Sequence, residues 1–372
     1  MREKSDRMQI IIFVLIVVGF MAAIFMVDDK TFSEQENRVL AQAPKYSVES
    51  LKSGKLMKDI EVYLTDQFPL RDTWISAKSR MEKATGKMEN NNVFFAEDDA
   101  LIKRFEVENE NLVEKNISAI NKLVESNDIP VYFSLIPGAV SIWEEKLPVN
   151  AQNDNQKEVI DSLYSKVECK TVDNYSTLMN HKDEYIFYKT DHHWTTLGAY
   201  YGYTALADVL EFKAKPIEEY KREVVSEEFF GTVYSSSGVR WVEPDSIEKY
   251  VSEDGKTVQK IVGTEVSSGK FYDYEKLEVK DKYAFFFGGN TALLKISSTN
   301  NKERSLLVIR DSYSDSQIPF LTEHFSEIYM MDLRYYKLGV SRFLEEHEID
   351  TILINYSVSN FCEDANVVML GS

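Results

Sequence analysis

Three short, mostly apolar runs near the C-terminus constrain the fold most: Leu306–Ile309, Ile328–Met331 and Thr351–Ile354. Segments with helical character separate them, around Ser316–His324 and Lys337–Glu348. Brief apolar strands alternating with helices are the pattern of a parallel sheet covered on both faces. An earlier run, Val131–Ile136, fits the same scheme: it follows a predicted helix near Glu106–Asn127 and is ended by Pro137-Gly138.

Parallel sheets bind ligands beyond the carboxyl ends of their strands. The residues just past the three C-terminal strands are Asp311-Ser312, Asp332-Leu333-Arg334 and Asn355-Tyr356-Ser357. Ser312 sits between a buried strand and a helix, where a hydroxyl is accessible and a helix N-terminus favours developing negative charge. A plain helix N-cap is the competing role for such a serine. Asn355, at an equivalent strand end, is suited either to donating an amide hydrogen to an oxyanion or to turn chemistry.

The chemistry-rich stretch is Tyr188-Lys189-Thr190-Asp191-His192-His193-Trp194-Thr195-Thr196, which holds two of the chain's five histidines. An aspartate two residues from a histidine can orient the imidazole and stabilise it when it takes a proton. Taken alone, the motif also fits a histidine pair filling a core beside a tryptophan, or a metal site, since Asp and His are zinc ligands. Adjacent residues on a strand point to opposite faces, which makes His192 and His193 poor partners for one ion. The remaining histidines, His181, His324 and His347, have no ligand-like spacing. A helix over Leu197–Phe212 is expected to follow.

At the N-terminus, Arg2, Lys4 and Arg7 precede an apolar run from Ile10 to Val27, and Asp28, Asp29 and Lys30 follow it. The run matches the hydrocarbon thickness, and its flanking charges place the N-terminus in the cytoplasm and the rest outside. A cleaved signal peptide would have a shorter apolar region and a small-residue cleavage site. An uncleaved single-pass anchor in a bacterial cell membrane is therefore the expectation.

The chain thus reads as a cytoplasmic tip and transmembrane anchor (1–27), a helical stalk (28–95) and an α/β domain (96–372). In the stalk, apolar spacing suggests a helix over Val48–Leu64, a break at Pro69 and a second helix over Thr73–Lys87. Turn signals and β-branched residues mark a β-rich insertion at about 215–290. The 12% aromatic content can fill a sizeable core, and the net charge of −18 argues against a nucleic-acid partner. Cys169 and Cys362 are either a single bridge or two free thiols.

Asp191-His192-His193-Trp194, the later Ile309-Arg310-Asp311-Ser312-Tyr313-Ser314, and Phe32-Ser33-Glu34-Gln35-Glu36-Asn37-Arg38 occur here in the order of the DHHW family. The chain resembles that family, which is related to the alginate O-acetylation proteins of the AlgJ and AlgX type. The resemblance implies an SGNH-hydrolase-like α/β domain of the flavodoxin-like three-layer kind, with permuted motif order. In ordinary SGNH enzymes the nucleophilic serine comes first; here the Asp-x-His pair precedes it.

Carried over by motif, the resemblance implies Ser312 as nucleophile, His193 as base and Asp191 as its orienting partner. His192 intervenes without an assigned role. Asn355 corresponds by position to an oxyanion-hole asparagine. The usual oxyanion glycine is absent from Asp332-Leu333-Arg334-Tyr335, which leaves Arg334 or a backbone amide for that place. The implied activity is O-acetyl transfer to an exopolysaccharide or cell-wall glycan, with a membrane-bound O-acyltransferase as acetyl supplier and no cofactor or metal. Glycan acetylesterase and non-catalytic glycan-binding scaffold are the alternatives.

Overall fold

The apolar runs of the sequence lie side by side as strands in the computed structural model. The larger sheet contains β1 (Val131–Ile136), β2 (Lys170–Val172), β3 (Lys256–Val262), β4 (Glu265–Ser268), β5 (Leu293–Ser298), β6 (Ser305–Arg310), β7 (Glu327–Met331) and β8 (Thr351–Ser357). Their spatial order is β4-β3-β5-β7-β6-β8-β1-β2. Strands β7, β6, β8, β1 and β2 are parallel. Strands β5, β3 and β4 extend one side in antiparallel fashion. Every residue of β1, β6 and β8 is buried, as strands covered on both faces require.

The β-rich segment at 215–290 divides between two structures. Its strands β3 and β4 join the central sheet, whereas Glu223–Phe229 and Asp245–Lys249 pair as a separate two-stranded ribbon. The structure describes residues 2–299 and 303–371. Residues 1, 300–302 and 372, which the sequence assigns to the anchor and the α/β domain, lie outside the described residues.

The chain forms two compact units, Met1–Lys87 with Gly238–Arg240, and Met88–Ser237 with Trp241–Ser372. The smaller unit contains α1 (Arg2–Met26), α2 (Val48–Lys52), α3 (Lys55–Asp66) and α4 (Arg71–Ala84). Within α1, Asp6–Ile24 is long and apolar enough to cross a membrane. The helix expected over Val48–Leu64 is interrupted because Gly54 takes a left-handed φ of 74° and starts α3 anew. Phe32–Ser33 and Arg38–Val39 form a small hairpin. Its Arg38 bonds Asp66 and its Glu36 pairs with Arg71, so the Phe-Ser-Glu-Gln-Glu-Asn-Arg motif clamps the α3–α4 corner.

In the larger unit, α5 (Glu110–Glu125) packs on Val358–Glu363 and on the C-terminal turn Val367–Gly371. Helix α6 (Thr196–Leu210) packs on α7 (Ser314–Leu321) and on Asn174–Met179. Cys169 and Cys362 are free thiols, so they form no bridge.

Candidate functional site

Strand β6 ends at Arg310, and the chain turns through Asp311, Ser312 and Tyr313 into α7. The Asp311 carboxylate fixes this turn. It accepts the Tyr313 amide at 3.0 Å, the Ser357 amide at 2.9 Å, the Ser357 hydroxyl at 2.7 Å and Asn360 Nδ2 at 2.8 Å. The end of β6 is thereby tied to the end of β8, and Ser312 is left half-buried at the carboxyl edge of the sheet.

The Asp-His-His-Trp segment is a tight loop rather than a strand. Its two ends meet in an antiparallel bridge between Phe187 and Trp194, and Thr195 caps α6 by accepting the Gly198 amide. The Trp194 indole is fully buried and donates to the Tyr313 carbonyl at 2.9 Å, which joins this loop to the Ser312 turn. Gly202 makes that packing possible: a Cβ there would lie 2.5 Å from the Trp194 ring.

Together these elements place Asp191, His193 and Ser312 in series. His193 Nδ1 lies 2.5 Å from Asp191 Oδ1, and His193 Nε2 lies 2.8 Å from Ser312 Oγ. An ionised carboxylate only accepts, so Nδ1 carries the hydrogen and the Nε2 lone pair faces the serine hydroxyl. The second Asp191 oxygen accepts the Thr232 amide at 2.7 Å and the Thr232 hydroxyl at 3.0 Å. Burial pushes the Asp191 carboxyl up, but His192 and His193 outweigh it and hold it well below the usual range. Burial pushes the His193 imidazole down to about 4, with His192 acting in the same direction and Asp191 against it. At neutral pH His193 is therefore a neutral base facing a hydroxyl.

The His192 ring does not point away from that of His193, because the loop breaks strand alternation. The two ring centroids are 3.8 Å apart, and His192 Nδ1 is 2.7 Å from Thr232 Oγ1. Ligand-type atoms of Asp191, His192 and His193 fall within 4.8 Å of one another. Both nitrogens of His193 are already engaged by Asp191 and Ser312.

The two expected oxyanion side chains are committed elsewhere. Asn355 is fully buried, and its Nδ2 donates to Ser314 Oγ and Gln317 Oε1, both at 2.8 Å, which fastens α7 to β8. Arg334 grips Asp332 with Nε at 2.9 Å and Nη2 at 2.6 Å, and also reaches Asn290 Oδ1 at 3.4 Å. Arg310 Nη1 reaches the same Asn290 oxygen at 3.4 Å. Asn290 precedes β5, whose first residue Leu293 is opposite Met331 at the carboxyl end of β7.

Two residues that touch the series carry no spacing signal of their own in the sequence, Tyr283 and Thr232. Tyr283 lies flat on His193, donates its hydroxyl hydrogen to the Ser312 carbonyl and accepts from the Ser316 hydroxyl, each at 3.1 Å. Asn290 has a local cue, the preceding Gly288-Gly289, both in left-handed conformation.

A hydroxyl, an imidazole and a carboxylate in hydrogen-bonded series lie at the carboxyl edge of the parallel strands of an α/β protein, an arrangement of the kind that serine nucleophile chemistry requires. The DHHW protein family model matches residues 111–331, more than half of the chain, and the chain belongs to that family. The fold is similar to a DHHW family protein from Eubacterium siraeum, at 25% identity and TM-score 0.65, over 76% of this chain and 95% of that one. It is also similar to Bacillus cereus PatB1 bearing a sulfonyl adduct, at 22% identity and TM-score 0.61, over 74% and 97% of the two chains. No curated protein matches the chain.

Proposed function

We propose that this chain is a membrane-anchored, extracytoplasmic O-acetyltransferase that acts on hydroxyls of an exopolysaccharide or cell-wall glycan. The observation that carries the chemistry is the unbroken series Asp191–His193–Ser312. His193 Nε2 takes the Ser312 proton as Oγ attacks the acetyl carbonyl carbon, and returns that proton to the departing group. A sugar hydroxyl then gives its proton to His193 and attacks the acetyl-serine, which restores the free serine. The acetyl group and the glycan acceptor are inferred from the motif order shared with the alginate O-acetylation proteins. The domain belongs to the permuted SGNH-like type on the same ground.

Oxyanion stabilisation is assigned to Asn290. Arg310 and Arg334 hold its side-chain oxygen, which leaves the amide hydrogens as donors at the sheet edge. The anchor, α1, has basic Arg7 before its apolar stretch and acidic Asp28 and Asp29 after it, supporting a cytoplasmic N-terminus. A membrane-bound O-acyltransferase is the proposed acetyl supplier, since the acyl group must cross the bilayer.

The test is an acyl-enzyme trap with a chromogenic acetyl ester. The native protein should release chromophore and gain one acetyl mass, and Ser312→Ala should do neither. Full esterase activity in the alanine variant would overturn the nucleophile assignment. Faster turnover with a glycan acceptor than with water alone distinguishes transfer from hydrolysis.

A further inference from the structure

The apolar helix α1 does not stand clear of the rest of its unit. Phe20 stacks on Phe68, with ring centroids 5.3 Å apart and planes 16° apart, and meets Trp74 at 5.8 Å. A groove runs beside this contact, lined by Leu15, Ile16 and Gly19 on α1 and by Phe68, Pro69 and Leu70 on the α3–α4 corner.

Depth along α1 gives these contacts their meaning. Phe20 is six residues before the helix end at Met26, or about 9 Å at 1.5 Å per residue. The first charges beyond the helix are Asp28 and Asp29. If α1 spans a bilayer, Phe20 lies below the level of its charged end. Any side chain in ring contact with Phe20 shares that depth and takes the place of lipid there. An interfacial element characteristically sinks about 5–10 Å into the headgroup and acyl boundary.

The corner has the composition for that position. Leu70 is 68% exposed and Trp74 50% exposed, although both adjoin the apolar helix. Leu70 also adopts a left-handed φ of 59°, a costly conformation for a bulky side chain. Charge returns immediately around the tip, where Arg71 pairs with Glu36 at 2.7 Å and Arg38 with Asp66 at 2.6 Å. An apolar tip bearing an indole, with charged residues close around it, matches a water–lipid boundary.

We infer that the Phe68–Leu70 corner, with Trp74 behind it, is inserted into the extracytoplasmic leaflet beside α1, in contact with phospholipid. The inference rests on the reading of α1 as a membrane anchor. The corner then fixes the smaller unit to the bilayer surface at a second point, so that the chain is docked there and not merely tethered.

The test uses the full chain in phospholipid nanodiscs, on a Cys169→Ser, Cys362→Ala background, with an environment-sensitive fluorophore on single cysteines. Leu70→Cys and Trp74→Cys probe the corner, Val14→Cys probes the middle of α1, and the exposed Val149→Cys serves as the water control. Lipids with a spin label high on the acyl chain should quench positions 70 and 74, blue-shift their emission and leave 149 unchanged. A label deep in the chain should quench position 14. Quenching at 14 with positions 70 and 74 behaving like 149 overturns the inference while leaving the anchor intact, and assigns the exposed tip to a protein partner. Loss of quenching at position 14 overturns the anchor reading itself, and the inference with it.

Discussion

The phenol ring of Tyr283 lies flat against the imidazole of His193, with centroids 3.8 Å apart and planes 8° apart. An aromatic face so placed shields the imidazole from water and attracts it when it becomes positively charged. Tyr283→Phe keeps the ring but loses the bonds to the Ser312 carbonyl and Ser316 hydroxyl. Its kcat/KM on a chromogenic acetyl ester should fall by up to about tenfold, the scale of one hydrogen bond. Tyr283→Leu removes the stack as well and should fall by about 100-fold. It should also shift the acidic limb of the pH profile upward as water reaches His193, whereas a purely structural lesion would leave that limb in place.

Burial lowers His193 to about 4, so the base is neutral throughout the ordinary histidine range. Its charged form alone is inactive, because a protonated Nε2 cannot accept from Ser312. Activity should therefore stay level as pH falls past 6.5 and decline only as it approaches 4, measured as kcat/KM for ester cleavage. Stability follows the same sign. The unfolded chain takes up the His193 proton near 6.5 and the folded chain only near 4. That contribution is fully present above 6.5 and is lost progressively down to about 4, where the loss amounts to roughly 3 kcal/mol. A His193→Gln variant should lack this part of the acid destabilisation in thermal melts.

Much of this was legible in the sequence for physical reasons. β6, β7 and β8 are buried on both faces, and such strands announce themselves as apolar runs ended by polar residues. Asp191, His193 and Ser312 could be named because their motifs resemble those of the DHHW family in kind and order; the residues alone left a core histidine pair, a metal site and a plain N-cap open. The proposed oxyanion donor was not legible in the same way. Asn355 and Asn290 both lie near the carboxyl edge of the sheet, and only side-chain packing shows that Asn355 is consumed by Ser314 and Gln317. Likewise, strand alternation misplaced the His192 ring, because the bridge between Phe187 and Trp194 bends the segment into a loop. Tyr283 lay hidden among the aromatics of the 215–290 segment, where nothing in its local spacing marks it.

Asp311 holds the nucleophile turn through four donors, and Asp311→Ala would leave several of them buried without a partner. The expected loss is about 3–5 kcal/mol, the scale for unpairing buried polar and charged groups. It should appear as a fall in Tm on the order of 10 °C for a domain of this size. The Asn355 carbonyl, which accepts the Asp311 amide at 3.4 Å, would remain to hold the turn weakly. Asp311→Asn, with the volume kept, should recover part of the stability, and a melt of both variants decides the point.

Gly231 provides the last check on the orienting role of Asp191. A Cβ at position 231 would lie 2.2 Å from Asp191 Oδ2, far inside contact distance, so Gly231→Ala must displace the carboxylate or its own backbone. Displacement would break the Thr232 bonds to Asp191 and release the His193 Nδ1 hydrogen from its acceptor. The imidazole could then carry its proton on Nε2, the tautomer unable to accept from Ser312. Asp191→Asn should give that fault directly, with a loss of about 10³–10⁴ in kcat, the scale when a triad aspartate becomes an amide. Gly231→Ala should fall in the same direction with a smaller loss, with near-native circular dichroism and no change in a Ser312→Ala background. Full activity in Gly231→Ala would show that the Asp191 carboxylate need not sit where it does for His193 to act.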